Sequence, residues 1–261
     1  LSPTVGVICG SDFCNYKYMN KIKVGITLGD PSGVGPAITL QAINCLAGLA
    51  QFVVIGDKVV LRKAAQQVEN CNGHLSAHYN SEFIDLKNVH SEKFKFGEVK
   101  AEYGKASIEY LDKALQLIKN KQIDCLVTCP ISKEAINLAG FKYPGHTEYF
   151  SRKTKTEDFV MMLMNKDLKI SLVTRHVPIS AVALCLKAEG IYKTIVITYE
   201  SLRKLFSITK PRIVVCGLNP HASDNGLIGS QENKIIKPVV SRLKRKNICI
   251  DGPLSADVAI A

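Results

Sequence analysis

The feature that most restricts the fold is a regular alternation of short apolar runs with segments of helical periodicity. The runs KVGITLGD and FVVIGD, at residues 23–30 and 52–57, predict buried strands, and each precedes a segment whose apolar residues recur at helical spacing. The same order returns around IDCLVTCP, LKISLVTR and PRIVVCGL. Such alternation is typical of parallel sheets covered by helices, so the sequence predicts an α/β fold.

Three regions depart from this pattern. Residues 71–100, which contain three of the six histidines, have no clean period and are predicted to form short edge strands and connections. The last ten residues, GPLSADVAIA, have a loop-like sequence in which we expect neither a helix nor a strand. The first predicted strand begins shortly after Met19, so we expect residues 1–18 to be an extension and residues 19–261 to form the α/β region.

The composition excludes several classes of protein. A chain of 261 residues with 46% hydrophobic residues is long enough for one large core or two lobes. The formal charge of +11 is spread along the chain without a nucleic-acid-binding motif, which favours a solvated surface that attracts phosphorylated substrates. The densest basic stretch, SRLKRKN at 241–247, fits the end of a helix. We therefore expect no nucleic-acid partner.

The cysteines and the hydropathy pattern indicate a cytoplasmic protein. Nine cysteines are scattered through apolar contexts without a CxxC pair, which favours buried, reduced thiols. No apolar run approaches the roughly 18 residues of a membrane span, and no signal-peptide pattern is present at the N-terminus. We expect no membrane association.

Chemically unusual residues follow the predicted strands. They are Asp30 in GDPSGVGP, Lys133 in TCPISKEA, His146 in PGHTEYF, His176 in TRHVP and His221 in LNPHASDNG. Ligands of open α/β sheets bind at the carboxyl ends of the strands, which makes these positions candidates for a site. The backbone N–H groups of a helix start near Ser132 could hold phosphate, and imidazoles are common metal ligands.

The residue types alone leave ordinary structural roles open. Asp30 fits a turn residue, Lys133 an exposed residue in the first turn of a helix, and each histidine a satisfied structural or surface position. The segment GDPSGVGP contains GxG but not the full GxGxxG of a dinucleotide site, and no Gly-Lys-Ser/Thr follows. No cofactor-binding residue is therefore identified from spacing.

Several motifs together resemble one enzyme family in both content and order. They are GITLGDPSGVGP, LVTCPISKEAINLAG, YPGHTEYF, VMML, LVTRHVP, VCGLNPHASDNGLIGSQE and GPLSAD, between Lys23 and Asp257. This series resembles the 4-hydroxythreonine-4-phosphate dehydrogenases of pyridoxal phosphate biosynthesis, and GHTE, TxHxP and NPHA are its most specific parts. Ser223 and Asp224 replace the glycine and glutamate of the family's pattern, Ala37 replaces the glutamate after GxGP, and GPLSAD replaces GPLPAD.

The resemblance implies the fold of isocitrate and isopropylmalate dehydrogenases, with two α/β lobes around a central cleft, in a cytoplasmic homodimer with a shared active site. It implies that His146 and Thr147 bind the phosphorylated substrate and that His176 and His221 bind a divalent metal. The family's third metal histidine, several substrate-binding residues and much of the cofactor site come in later motifs that are not among these 261 residues, so the family's C-terminal part is expected to be absent.

The activity implied is NAD- or NADP-dependent oxidation of 4-phosphohydroxy-L-threonine to a β-keto acid, which decarboxylates to 3-amino-2-oxopropyl phosphate. The metal would be Zn, Mg, Co or Mn, and Lys133 and Asp257 are candidates for proton transfer or for orienting the substrate. Three alternatives stay open: a 4-phosphothreonate dehydrogenase, an acyl-phosphate transferase of related fold, and an inactive protein that binds phosphate esters.

Overall fold

The structure, a computed structural model, describes residues 21–72 and 81–260. These residues divide into a first unit, which ends at Lys155, and a second unit, which begins at Thr156. The extension predicted for residues 1–18 and the histidines at 74 and 78 lie outside the described residues. Among the helices that are described, none is long and apolar enough to cross a bilayer.

The first unit contains a parallel four-stranded sheet in the order β3-β2-β1-β4. Its elements, in chain order, are β1 (Lys23–Thr27), α1 (Gly35–Cys45), β2 (Gln51–Gly56), α2 (Lys58–Asn72), β3 (Ser81–Asp85), α3 (Ala101–Lys119), β4 (Cys125–Thr128), α4 (Lys133–Leu138) and α5 (His146–Thr154). The prediction of an α/β fold with a parallel sheet is confirmed. Within the irregular region, β3 is an edge strand, as expected.

The core of the first unit forms between the sheet and α3. The central strands β1 and β2 are buried along most of their length, which explains their continuous apolar sequences. The buried residues of α3 recur at helical spacing and include Tyr103, Tyr110, Ala114 and Leu117. These residues of α3 pack against the strands of the sheet and form one buried cluster with them.

The second unit contains two small sheets. Its elements are β5 (Met161–Met164), β6 (Lys169–Leu172), α6 (Ile179–Cys185), α7 (Ala188–Lys204), β7 (Ile213–Cys216), α8 (Lys237–Lys244), β8 (Ile250–Leu254) and α9 (Ala256–Ile260). Strands β5 and β6 are antiparallel, and β7 and β8 are parallel. Buried residues of α7, α8 and β8 form its core. A π-helical turn, Glu232–Ile236, leads into α8.

Two sequence predictions are wrong. One concerns the last ten residues, and the other concerns the burial of the cysteines. The loop expected for residues 252–261 is instead the end of β8 and the helix α9, because Ile250–Leu254 pairs with β7 and extends the sheet. The described cysteines are free, as expected, but only Cys129 is buried; Cys125 is half-buried and the other four are exposed. Apolar neighbours in sequence did not place these four thiols in the core.

Candidate active site

The loops that follow β1 and β4 contact each other at the carboxyl end of the first unit's sheet. The backbone N–H of Asp30 donates to the carbonyl oxygen of Pro130 at 2.9 Å, and that of Cys129 donates to Thr27 at 3.1 Å. Gly29 has a φ of +69°, and a Cβ there would lie 2.3 Å from the Pro130 oxygen. Glycine is therefore required for this close approach.

Asp30 is a turn residue in this loop. Its side chain is 7% exposed, and its carboxylate accepts a hydrogen bond from the backbone N–H of Ser32 at 2.9 Å. Burial raises the pKa of the Asp30 carboxyl, and the bonds from Ser32 act against that rise. The geometry is that of an Asx turn, which matches the structural alternative considered from the sequence.

Lys133 begins α4, directly after the turn that follows β4. The side chain of Ser132 caps this helix by accepting from the N–H of Ala135 at 3.1 Å, as predicted from the sequence. Lys133 itself is exposed. Its helix lies close to α3 because Gly104 has no side chain: a Cβ there would be 2.0 Å from the carbonyl oxygen of Ala135.

His146 and Thr147 form the first turn of α5, and both are half-buried. The His146 ring forms a hydrogen bond with the backbone of Cys129, the residue after β4, while its Nε2 atom is buried and has no partner among the described residues. Burial lowers the pKa of His146, and the bond to Cys129 opposes this shift. A half-buried ring with an unpaired nitrogen thus lies at a helix N-terminus.

The start of α5 has the properties of an anion site. The first backbone N–H groups of an α-helix lack intrahelical acceptors, and the helix dipole favours negative charge there. The unpaired Nε2 atom of His146 adds a ring nitrogen that a ligand can engage. The Oε2 atom of Glu148 is also buried without a partner among the described residues, so a cation or hydroxyl group could also bind here.

His176 and His221 both belong to the second unit, and they share an unusual backbone conformation. His176 follows β6 with a φ of +54°, and His221 follows β7 with a φ of +52°. Both side chains are exposed. Left-handed backbone is uncommon for residues other than glycine and concentrates at functional sites, where the surrounding structure maintains it.

The left-handed conformation around His221 extends over five consecutive residues. Their φ values range from 44° to 72°, from His221 to Asn225. Ser223 is 1% exposed, has a φ of +72°, and its Oγ atom has no hydrogen-bond partner among the described residues. A left-handed residue with a side chain costs roughly 1–2 kcal/mol, so other contacts must stabilise this segment.

Asp257 is the predicted site residue that the structure brings near His221. It lies in the first turn of α9 and is exposed. A hydrogen bond from the Ser255 hydroxyl is the main reason that the pKa of its carboxyl is lowered, and the nearby His221 adds to this effect. The parallel pairing of β7 with β8 brings the two loop segments together.

The donor chemistry of His176 and His221 fits a divalent transition metal, since both imidazoles are exposed. In residues 21–72 and 81–260, however, no group of three or more His, Cys, Asp or Glu side chains could hold a metal ion. A metal bound by His176 and His221 would therefore need further ligands from outside the described residues.

Glu232 was missed by the sequence reasoning. It lies in the quoted motif GSQE, is fully buried, and accepts hydrogen bonds from Leu218 and Asn219, just before His221. A signal was available, because Glu232 precedes Ile236 by four residues and Val239 by seven and so falls in the apolar stripe of its helix. An acidic residue at such a position predicts a buried carboxylate with hydrogen-bond partners.

Known proteins match the chain over both units. The family model described as "Pyridoxal phosphate biosynthetic protein PdxA" matches residues 48–261. The 4-hydroxythreonine-4-phosphate dehydrogenase of a Sulfurihydrogenibium species is 38% identical over 248 residues, which are 91% of this chain and 76% of the relative. A protein of Oceanobacillus iheyensis, provisionally assigned as a D-threonate 4-phosphate dehydrogenase, is 36% identical over 90% of this chain and 74% of its own length.

A solved structure supports the same relationship. The crystal structure of a 4-hydroxythreonine-4-phosphate dehydrogenase from Klebsiella pneumoniae superimposes with a TM-score of 0.79 at 30% sequence identity. The superposition covers 92% of this chain and 76% of that one.

Proposed function

The chain belongs to the PdxA family of pyridoxal phosphate biosynthetic proteins, and we propose that it oxidises 4-phosphohydroxy-L-threonine with NAD or NADP. The product is a β-keto acid that loses carbon dioxide to give 3-amino-2-oxopropyl phosphate. The observation that carries this proposal is the buried, unpaired Nε2 atom of His146 at the start of α5. It provides a phosphate-ester site in the segment where the family resemblance predicts substrate binding.

His146 and Thr147 bind the substrate phosphate in this proposal. The backbone N–H groups of the first turn of α5 point toward the ligand, and the Thr147 hydroxyl can donate a further hydrogen bond. Burial lowers the pKa of His146 and the bond to Cys129 opposes this shift, while a bound phosphate anion would favour the protonated ring, in which both nitrogens donate. With one nitrogen bonded to Cys129, the ring would donate from Nε2 to a phosphate oxygen.

His176 and His221 hold the divalent metal, which is Zn, Mg, Co or Mn. When bound, such an ion supplies Lewis acidity that lowers the pKa of the substrate hydroxyl. The exposed imidazoles of the two histidines present their nitrogen donors from the loops after β6 and β7. Overall, the carbinol carbon loses a hydride to the nicotinamide and the hydroxyl loses a proton, so the alcohol becomes a ketone.

Lys133 and Asp257 are proposed to move or hold protons. Lys133 is exposed at the start of α4, a position from which its side chain can donate a hydrogen bond to a carboxylate or oxygen of the substrate. The pKa of the Asp257 carboxyl is lowered, mainly by the hydrogen bond from Ser255, and this carboxylate lies near His221. Both residues would act by orienting groups at the reacting carbon.

We propose that the chain has the fold of isocitrate and isopropylmalate dehydrogenases and works as a homodimer in the cytoplasm. The exposed apolar helix α6 supports the dimer: none of its seven residues is buried, and Ile179 and Leu184 are 92% and 84% exposed. A second subunit would remove this apolar surface from water.

The second candidate function is a D-threonate 4-phosphate dehydrogenase. The Oceanobacillus iheyensis protein favours it, because its 36% identity is close to the 38% of the Sulfurihydrogenibium enzyme. Both substrates would use the same phosphate and metal residues. They differ in the group beside the hydroxyl, which is an amine in one and a hydroxyl in the other.

The test is NADH formation by the purified protein with added divalent metal and each of the two substrates. Turnover of 4-phosphohydroxythreonine supports the proposal, and a preference for D-threonate 4-phosphate supports the second candidate. The His146→Asn variant should lower kcat/KM by about 10- to 150-fold, the effect of losing a hydrogen bond to a charged group. The exposed His90 provides the control, and His90→Asn should leave kcat/KM unchanged.

Two outcomes would contradict the proposal. Wild-type kcat/KM in His146→Asn would exclude the phosphate role of His146. Binding of a phosphate ester without NAD binding or turnover would instead indicate an inactive ligand-binding protein.

A further inference from the structure

The carboxylate of Glu232 is a fully buried charged group in the second unit, and it is 0% exposed. Its Oε1 atom accepts from the backbone N–H groups of Leu218 and Asn219 at 2.8 and 2.7 Å. Its Oε2 atom accepts from the side-chain Nδ2 of Asn219 at 2.9 Å. Three N–H groups from two neighbouring residues therefore converge on one buried carboxylate.

These bonds keep Glu232 ionised. Burial alone would raise the pKa of its carboxyl, but the hydrogen bonds from Asn219 and Leu218 outweigh burial, and the pKa is lowered. Hydrogen bonds to an ionised acceptor are stronger than those between neutral groups. The backbone at residues 218–219 is thus fixed more firmly than a neutral side chain would fix it.

The fixed residues lie directly before a segment that needs support. His221 comes two residues after Asn219 and begins the left-handed run that ends at Asn225. The far end of this run is held from the same helical segment, because the Nδ2 atom of Asn233 donates to the carbonyl oxygen of Asn225 at 3.2 Å. Consecutive residues, Glu232 and Asn233, therefore hold the two ends of the segment that carries His221.

We propose that Glu232 is a positioning residue for His221, acting through the backbone of residues 218–219. The inference rests on the proposed metal role of His221 and deepens it. Groups that orient a metal ligand without touching the metal typically change metal affinity by 10–100-fold when they are removed. In this proposal Glu232 orients the main chain of the loop and not the imidazole itself.

A matched control separates positioning from general stability. Asp57 in the first unit is also 0% exposed and accepts hydrogen bonds from the backbone N–H of Val89 and from the hydroxyl of Tyr110. These partners of Asp57 belong to the first unit, whereas the His221 segment belongs to the second. Asp57→Asn and Glu232→Gln both remove one buried charge without changing the side chain's size.

Two measurements on the whole protein test the proposal. Hydrogen exchange measures how well the backbone amides of residues 217–226 are protected, and calorimetric titration with Co²⁺ or Zn²⁺ measures metal affinity. Glu232→Gln should speed exchange in this segment and weaken metal binding at least tenfold. Asp57→Asn should change neither, although it lowers the melting temperature. If Glu232→Gln fails to fold, Glu232→Asp replaces it in the test. The shorter side chain keeps the charge but moves it away from residues 218–219, so the same two changes are expected.

The outcomes distinguish this inference from the proposed function. If His221→Ala abolishes metal binding but Glu232→Gln binds metal as tightly as the wild type, Glu232 is only a structural residue and the inference is overturned. Unchanged exchange of residues 217–226 in Glu232→Gln overturns it as well. If the wild-type protein itself binds no metal, the metal role of His221 fails and the role of Glu232 fails with it.

Discussion

The ring of His146 forms a hydrogen bond with the backbone of Cys129, which joins the start of α5 to the end of β4. This contact connects two residues that are 17 positions apart in the sequence and belong to different motifs. It places the histidine at the carboxyl edge of the sheet, where α/β proteins bind ligands.

Burial of His146 should make the stability of the protein depend on pH. Its folded pKa lies below the ordinary value of 6.5, so near that pH the unfolded chain binds more protons than the folded chain. The stabilisation is complete above about pH 6.5 and is lost as the pH falls toward the folded pKa. Urea unfolding of wild type and His146→Asn should show a difference in unfolding free energy that shrinks on acidification.

The control for this pH dependence is His90→Asn, since His90 is exposed and should give a difference near zero throughout. The raised pKa values of Asp30 and Asp57, which are due to burial, cancel when wild type and variant are compared. A difference between wild type and His146→Asn that grows on acidification would exclude this account.

Replacing either proposed metal ligand, His176 or His221, should remove bound metal. His176→Ala and His221→Ala each delete one imidazole donor, and we expect metal content after dialysis to fall by at least about tenfold. Elemental analysis of both variants beside His90→Ala measures this. Stoichiometric metal retained in both variants would sink the assignment of these two residues.

The buried pair of Asp57 and Tyr110 should contribute strongly to the stability of the first unit. The Tyr110 hydroxyl donates to the Asp57 carboxylate, and Tyr110→Phe would leave that carboxylate oxygen unpaired. We expect the free energy of unfolding to fall by about 1–3 kcal/mol. The half-exposed Tyr199 gives the comparison: Tyr199→Phe should change stability by less than about 0.5 kcal/mol. Equal losses in the two variants would argue against the pair.

Ser223→Gly should stabilise the protein. Ser223 has a φ of +72° and a buried hydroxyl without a hydrogen-bond partner among the described residues, and glycine relieves both costs. After the greater chain entropy of glycine is included, a gain of about 1 kcal/mol in unfolding free energy remains. Ser241→Gly, in the ordinary helix α8, should lower it by about 0.5–1 kcal/mol. A loss at Ser223 would show that its hydroxyl has a stabilising partner.

Much of the secondary structure could be predicted because its signals are local. The apolar runs of β1 and β2 and the helical spacing in α3 are written in consecutive residues, and the structure confirms them. Helix α9 was missed because it has five residues and no buried side chain, so no apolar period identified it. Strand β8 was missed because its GPL segment resembles a turn, and only pairing with β7 makes it a strand.

The positions of some candidate site residues in the fold could be predicted. The sequence located Lys133, His146 and His221 near strand or helix ends, where the structure places them. It gave no sign that the His146 ring would lie against the Cys129 backbone, since that contact depends on how α5 returns to β4. Glu232 belongs to one of the family motifs, but no role was predicted for it.

The sequence by itself determined the parallel α/β class, the order of the elements and the family resemblance, because periodicity and motif order are properties of the chain read in line. The tertiary structure decided which polar groups are buried and which partners they find. Glu232 could be ionised inside the protein only because Leu218 and Asn219 bring three N–H groups to it. The left-handed backbone of His176 and His221 was likewise set by packing, since local propensity opposes it.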